Sequence, residues 1–191
     1  MMWSVSVQPI LLCACLAVGL LFDPMGFLRM ALLCSVVHEL GHVVAYWGAT
    51  GRFPPLQLSV GGIALKKIHF LSLRQEIVVL LAGPAANFIF VAVLYGVALH
   101  KASYGVYFLA AVSFCTGVYN LLPIGVLDGA RLLQNLFPAH YQTRILCAER
   151  FMAVLLSAAI VPLLAIAPLT PTTRAAVILA AGYLWIQQMW T

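Results

Sequence analysis

Three ionisable side chains lie close together in the apolar stretch CSVVHELGHVVAYW, residues 34–47. His38 and His42 are four residues apart, so on an α-helix their imidazole rings leave the same face about one turn apart. Two imidazole nitrogens in this arrangement can bind one zinc ion, and Glu39 beside them can accept a proton from an attacking water. The HExxH spacing on a helix is therefore typical of zinc-dependent hydrolysis.

Ionisable side chains within an apolar helix are functional candidates, because inserting each one into a membrane costs roughly 2.5–3.5 kcal/mol. The motif is also compatible with a polar cluster between helices, with the proton or metal-ion path of a transporter, and with axial ligation of a haem. Haem ligation fits least well, since His38 and His42 share one helix face. Cys34 shares that face too, but each four-residue step climbs about 6 Å, so we interpret it as a packing residue.

A third zinc ligand is expected, because catalytic zinc usually has three protein ligands and one open position. The candidate is Asp128, in NLLPIGVLDGARLL at residues 120–133, where Pro123 and Gly125 interrupt a helix. Taken alone, an Asp before Gly would be a turn or a helix cap. The other acids at helix ends, Glu76 and Glu149, are interpreted as solvated or snorkelling groups.

Two asparagines lie within or at the end of apolar segments. Asn87 belongs to AGPAANF, residues 82–88, and Asn120 lies near the end of a later segment. Each could tie helices together by hydrogen bonds. Each could also orient a substrate backbone or stabilise an oxyanion, and we keep both residues as candidates for that role.

The whole composition indicates a membrane protein with several spans. Of the 191 residues 64% are hydrophobic and only 8% are charged, and the mean hydropathy is +1.05. We predict an all-α polytopic protein forming a single domain over residues 1–191, with six transmembrane helices and a short β-hairpin. The predicted spans are 5–22, 26–48, 75–99, 104–122, 145–167 and 174–190.

Positive residues predict the orientation of these spans. Seven of the ten Lys and Arg residues fall on one predicted face, namely Arg52, Lys66, Lys67, Arg74, Arg131, Arg144 and Arg150, and the other three are Arg29, Lys101 and Arg174. The positive-inside rule then places both termini in the cytoplasm. The net charge of +5 is thus interpreted as an orientation signal, and no nucleic-acid partner is expected.

The loop at residues 49–74 does not have a helical pattern. Leu56, Leu58 and Val60 alternate with polar residues, and Gly61 and Gly62 supply a turn. We predict a hairpin over residues 56–65 at the cytoplasmic membrane surface, with an irregular interfacial loop as the alternative.

Together, HELGH, AGPAANF and NLLPIGVLDGAR resemble the site-2 protease family of intramembrane zinc metalloproteases, peptidase M50, over about residues 30–135. The resemblance implies one zinc ion per chain bound by His38, His42 and Asp128, with Glu39 as general base. It also implies a three-helix catalytic core at about residues 26–135, with the remaining spans as accessory helices. The substrate would be a membrane protein or a membrane-associated protein, cleaved near the cytoplasmic boundary.

The six-span layout resembles more closely the branch that contains stage IV sporulation protein FB. That branch implies a bacterial cell membrane, a sporulation sigma-factor precursor as substrate, and an inhibitory membrane protein as a further candidate partner beside the lipid bilayer. Neither a PDZ nor a CBS domain is expected. Ala130 departs from the family, which often has a second glycine at this position.

Overall fold

A computed structural model describes residues 20–21, 23, 26–54, 56–59, 62–65, 71–125, 127–141, 143–152 and 154–155. The chain divides into two compact units, Met1–Tyr119 and Asn120–Thr191, and each is described by itself. The predicted spans 5–22 and 145–167 lie largely outside the described residues, and the predicted span 174–190 lies entirely outside them.

Helix α1, Phe27–Thr50, carries the HExxH motif. Before its first turn the Asp23 carboxylate accepts hydrogen bonds from the backbone N–H groups of Phe27, at 2.8 Å, and Arg29, at 3.2 Å. These donors have no partner within the helix, and a negative group also suits this end of the helix dipole. The helix ends at Gly51, whose φ of 68° is open to glycine and unfavourable for other residues.

Helix α2, Leu73–His100, begins at a capping box. Ser72 Oγ accepts a hydrogen bond from the Gln75 N–H at 3.4 Å, and Gln75 Oε1 accepts one from the Ser72 N–H at 2.9 Å. The Gln75 amide also donates to the Ala49 carbonyl at 3.1 Å, near the end of α1. This one side chain therefore helps to start α2 and connects it to α1.

Small residues bring α1 and α2 close together. A Cβ added at Gly41 would meet the Ala82 carbonyl oxygen and would lie 2.7 Å from Ala86 Cβ. Small residues allow the same close approach of backbones between transmembrane helices. As a result, the HExxH face of α1 lies against the AGPAANF segment of α2.

Helix α3, Tyr104–Asn120, contacts α2 through a face of small residues. Ser113 is fully buried, and a Cβ added at Gly117 would lie 3.3 Å from Asn87 Cβ. The predicted span 104–122 runs two residues beyond the helix. Pro123 follows shortly after and lacks the N–H that a continuing helix would need.

The first unit exposes many large apolar side chains and buries several polar ones. Leu40, Ile89 and Val93 are each more than half exposed, whereas His38 and His42 are each 5% exposed. Large exposed apolar side chains beside buried ionisable ones are expected where helices face lipid. Among the described residues, α1 and α2 are the two helices that are long and apolar enough to cross a membrane. The count of six spans stays a prediction.

Two short strands lie between α1 and α2. Strand β1, Leu56–Ser59, pairs antiparallel with strand β2, Gly62–Leu65, and Leu56 is opposite Leu65. Residues 60–61, between the strands, lie outside the described residues. The predicted turn there and the position of the hairpin at a membrane surface stay predictions.

In the second unit, a turn precedes helix α4, Asp128–Leu136. The Ile124 N–H bonds the Leu122 carbonyl at 2.9 Å, and the Leu127 N–H bonds the Ile124 carbonyl at 3.1 Å. Gly125 within this turn has a φ of 50°, which favours glycine. The chain therefore reverses tightly between the end of α3 and the LDG sequence.

After α4 come a 3-10 turn at Ala139–Tyr141 and a helical segment at residues 143–152. Gln134 Nε2 donates to Glu149 Oε1 at 3.0 Å, and Glu149 is only 4% exposed. The interpretation of Glu149 as a solvated group was therefore wrong. A hydrogen-bond donor on another helix offsets the cost of burying this carboxyl, and spacing along the chain does not reveal that donor.

Candidate metal centre

The side chains of His38 and His42 converge on one point inside the first unit. Their Nε2 atoms lie 3.1 Å apart and their ring planes are 87° apart. Both residues are buried on α1, which places them one helical turn apart as the spacing predicts. The separation leaves no room for a haem plane between the two nitrogens.

A backbone atom of α2 orients the ring of His42. Its Nδ1 lies 2.7 Å from the carbonyl oxygen of Val79. A carbonyl oxygen can only accept, so Nδ1 carries the ring proton and Nε2 carries none, as a nitrogen ligand requires. Metal-binding histidines almost always donate their second ring N–H in this way.

Gly83 of α2 lies directly beside the two rings. A Cβ built on it would collide with His42 Nε2 and would lie 2.5 Å from His42 Cε1 and 2.8 Å from His38 Cε1. The absence of a side chain at Gly83 therefore keeps the space next to the converging nitrogens open.

Asn87 and Ser113 lie behind the ring of His38. Asn87 Nδ2 is 3.3 Å from His38 Nδ1, the ring nitrogen away from His42. Ser113 Oγ of α3 donates to the Asn87 backbone carbonyl at 3.1 Å and lies 3.5 Å from Asn87 Oδ1. Both residues are 0% exposed, so neither competes with bulk water for these bonds.

The other two candidates on α1 differ in their surroundings. Glu39 follows His38 directly and is half-buried. Cys34 is 0% exposed, and its Sγ lies 4.0 Å from the Leu109 carbonyl oxygen of α3. The thiol therefore faces α3, in agreement with its interpretation as a packing residue.

Asp128 and Asn120 belong to the second unit. Asp128 is the first residue of α4 and is 8% exposed, and Asn120 is half-buried at the last position of α3. A Cβ added at Gly129 would collide with the Leu121 carbonyl oxygen, so only glycine allows α4 to begin so close to the preceding turn. The LDG sequence thus holds a buried carboxylate at the start of a helix.

Two contributors to this arrangement were missed in the sequence. The Val79 carbonyl is a backbone atom, so no residue type could point to it. Ser113 did leave a signal, a single hydroxyl in the apolar run FLAAVSF, but one serine in a helix usually bonds its own backbone. Only the packing of α3 against α2 connects it to His38 through Asn87.

Comparisons with known proteins find similarity to one peptidase family model and to one protein named as a zinc metalloprotease. The model of Peptidase family M50 matches residues 97–166, which include the LDG sequence and not the HExxH motif. A Mycolicibacterium smegmatis protein named "Putative zinc metalloprotease Rip2" is 29% identical over 139 residues, which are 54% of this chain. The match also spans 54% of that relative, about half of its length.

The fold has a relative among solved structures, the site-2 protease from Methanocaldococcus jannaschii. The TM-score is 0.63 at 17% identity, and the match covers 96% of this chain and 87% of that one. At this identity the likeness shows the fold, and the family match and the curated relative agree with the resemblance to the site-2 protease family. The finer resemblance to the stage IV sporulation protein FB branch stays a prediction. Site-2 proteases are membrane-embedded, in keeping with the two apolar helices α1 and α2.

Proposed function

We propose that this chain is a zinc-dependent intramembrane protease that hydrolyses a peptide bond of a membrane protein or membrane-associated protein. The observation that carries the proposal is the convergence of two buried imidazoles, with Nε2 atoms 3.1 Å apart. Zinc bonds of roughly 2.0–2.1 Å at a tetrahedral angle require about 3.3 Å between two ligand nitrogens. The His42 tautomer imposed by Val79 suits the same ligand role.

The proposed ligands are His38 and His42 of the first unit and Asp128 of the second. Asp128 enters from the resemblance of the LDG sequence to the family, and its burial is consistent with a carboxylate that binds a cation. Zinc, when bound, would polarise the scissile carbonyl and make a water more acidic. Gly83 leaves space beside the histidines for the reacting groups.

Glu39 is the proposed general base. It accepts a proton from water as the water oxygen bonds the carbonyl carbon, and it returns the proton to the leaving nitrogen as the C–N bond breaks. Asn120 is proposed to hold the substrate backbone or the developing oxyanion. The outer edges of strands β1 and β2 could pair with a substrate that has been unwound into an extended form.

The finer features of the proposal come from the family resemblance. They are a bacterial cell membrane with six spans and cytoplasmic termini, a sporulation sigma-factor precursor as substrate, and an inhibitory membrane protein as partner. Comparing membrane-protein fragments in cells that carry the active or the Glu39→Gln enzyme would identify the substrate.

The test measures zinc content and cleavage for purified variants. His38→Ala should lose zinc and cleavage, whereas Glu39→Gln should keep zinc and lose about 10²–10⁴-fold in cleavage rate, because only the base is removed. Asp128→Asn should weaken zinc binding. His100→Ala is the matched control, since this exposed histidine ends α2 away from the converging rings. Unchanged zinc and cleavage in all three site variants would refute the proposal.

A further inference from the structure

The proton on His38 decides whether this residue can bind zinc. A neutral imidazole carries one ring proton, so Nε2 is a ligand only when the proton is on Nδ1. For His42, the Val79 carbonyl oxygen places the ring proton on Nδ1, because a carbonyl oxygen can only accept a hydrogen bond. For His38 the neighbour is the Asn87 amide, which can present either an N–H or an oxygen.

With Asn87 Nδ2 towards the ring at 3.3 Å, His38 Nδ1 is the acceptor and its proton lies on Nε2. The two Nε2 atoms, 3.1 Å apart, are then a donor and an acceptor to each other. In that arrangement His38 has no lone pair to give to a metal. A half-turn of the Asn87 amide about its Cβ–Cγ bond would bring Asn87 Oδ1 to His38 Nδ1. The ring proton of His38 would then lie on Nδ1, and its Nε2 lone pair could bind a metal.

We propose that Asn87 is a positioning residue whose amide oxygen accepts the Nδ1 proton of His38 and thereby makes His38 Nε2 a zinc ligand. This role rests on the proposed function and differs from the substrate or oxyanion role predicted for Asn87. The amide is 0% exposed and contacts the edge of the ring that faces away from His42. That placement suits a group that acts through His38.

Ser113 makes the turned amide stable. Its hydroxyl donates to the Asn87 backbone carbonyl at 3.1 Å, so its oxygen can act as an acceptor towards the Asn87 side chain. Oγ lies 3.5 Å from the present position of Oδ1, so after the half-turn it faces the Asn87 NH₂ group. The buried amide therefore keeps hydrogen bonds on both sides, as a group without access to water requires.

The test is zinc affinity of the purified full chain, measured by competition with a chelator of known affinity. Asn87→Leu keeps a side chain branched at Cγ but removes the acceptor, and it should weaken zinc binding about 10- to 100-fold, as loss of a ligand-orienting partner usually does. Asn87→Asp restores an acceptor for the His38 Nδ1 proton and should bind zinc about as tightly as the wild type. Ser113→Ala should weaken zinc binding by only about tenfold, because the Asn87 amide keeps its contact with His38 in this variant.

Long-range ¹H–¹⁵N spectra of zinc-loaded protein with labelled histidine read the tautomer directly. The wild type and Asn87→Asp should both carry the His38 proton on Nδ1. The inference is overturned if Asn87→Leu binds zinc as tightly as the wild type, or if Asn87→Asp is as weak as Asn87→Leu. A wild type that binds no zinc would instead overturn the proposed function, so the two failures are distinguishable.

Discussion

Two histidines of the same motif are oriented by different kinds of atom. His42 is held by the Val79 backbone carbonyl, and a side-chain substitution leaves that acceptor in place. His38 is held by the side chain of Asn87, which a substitution can remove. The metal affinity of the site should therefore be sensitive to the polar side chain behind His38 and less sensitive to the side chains around His42 Nδ1.

The most specific single-residue prediction concerns Gly83. In Gly83→Ala the added methyl would occupy the space at His42 Nε2, so we expect zinc binding and cleavage to fall below detection. Gly96→Ala is the matched control on the same helix, because a Cβ there has nothing within 4 Å. Zinc titration of both purified variants checks the prediction. Wild-type zinc affinity in Gly83→Ala would contradict the placement of the metal beside this glycine.

At the scale of elements, the site depends on how closely α1 and α2 pack. His38 and His42 come from α1, while the Val79 carbonyl and Asn87 come from α2. Gly41 permits this approach, since its missing side chain makes room for the Ala82 carbonyl. Any separation of the two helices would lengthen both contacts that orient the rings.

We therefore expect Gly41→Ala to destabilise the protein by about 1–3 kcal/mol, as overpacking usually does, and to weaken zinc binding in parallel. Gly48→Ala lies on the same helix with nothing within 4 Å of its Cβ, and it should stabilise the helix by up to about 1 kcal/mol. Unfolding of both variants in detergent, followed by circular dichroism, measures the difference. Equal stabilities would show that the helices can separate without cost.

At the scale of the whole molecule, the proposed metal links residues that lie far apart in the chain. His38 and His42 belong to the first unit and Asp128 to the second. A ligand that binds the folded state and not the unfolded chain stabilises the fold by mass action. The proposed function therefore predicts that zinc stabilises the folded protein as well as supporting its activity.

Free zinc at 100 times its dissociation constant should stabilise the wild type by about 2.7 kcal/mol relative to the protein in chelator. Glu39→Gln should gain the same amount, because the proposed base is not a ligand. His42→Ala should gain nothing, and Asp128→Asn should gain less than the wild type at the same zinc concentration. Thermal unfolding with zinc or with chelator measures each gain. An undiminished gain in His42→Ala would refute this linkage.

Much of the first unit was predictable because its signals are local. The HELGH motif by itself gives the four-residue spacing of His38 and His42. Hydropathy located α1 within two residues of the predicted span 26–48. Hydropathy likewise located α2, Leu73–His100, within two residues of the predicted span 75–99. The burial of Glu149 was not predictable, because its partner Gln134 lies fifteen residues earlier and on a different helical segment.

The sequence by itself determined which residue types could do chemistry and which helix carries them, because helical periodicity converts a spacing of four into a shared face. Only the tertiary structure decided what stands behind each imidazole: the Val79 carbonyl at His42, and Asn87 supported by Ser113 at His38. Those contacts join three helices. The spacing of side chains within one helix therefore cannot predict these contacts. The position of the proton on each imidazole ring depends on how the helices pack.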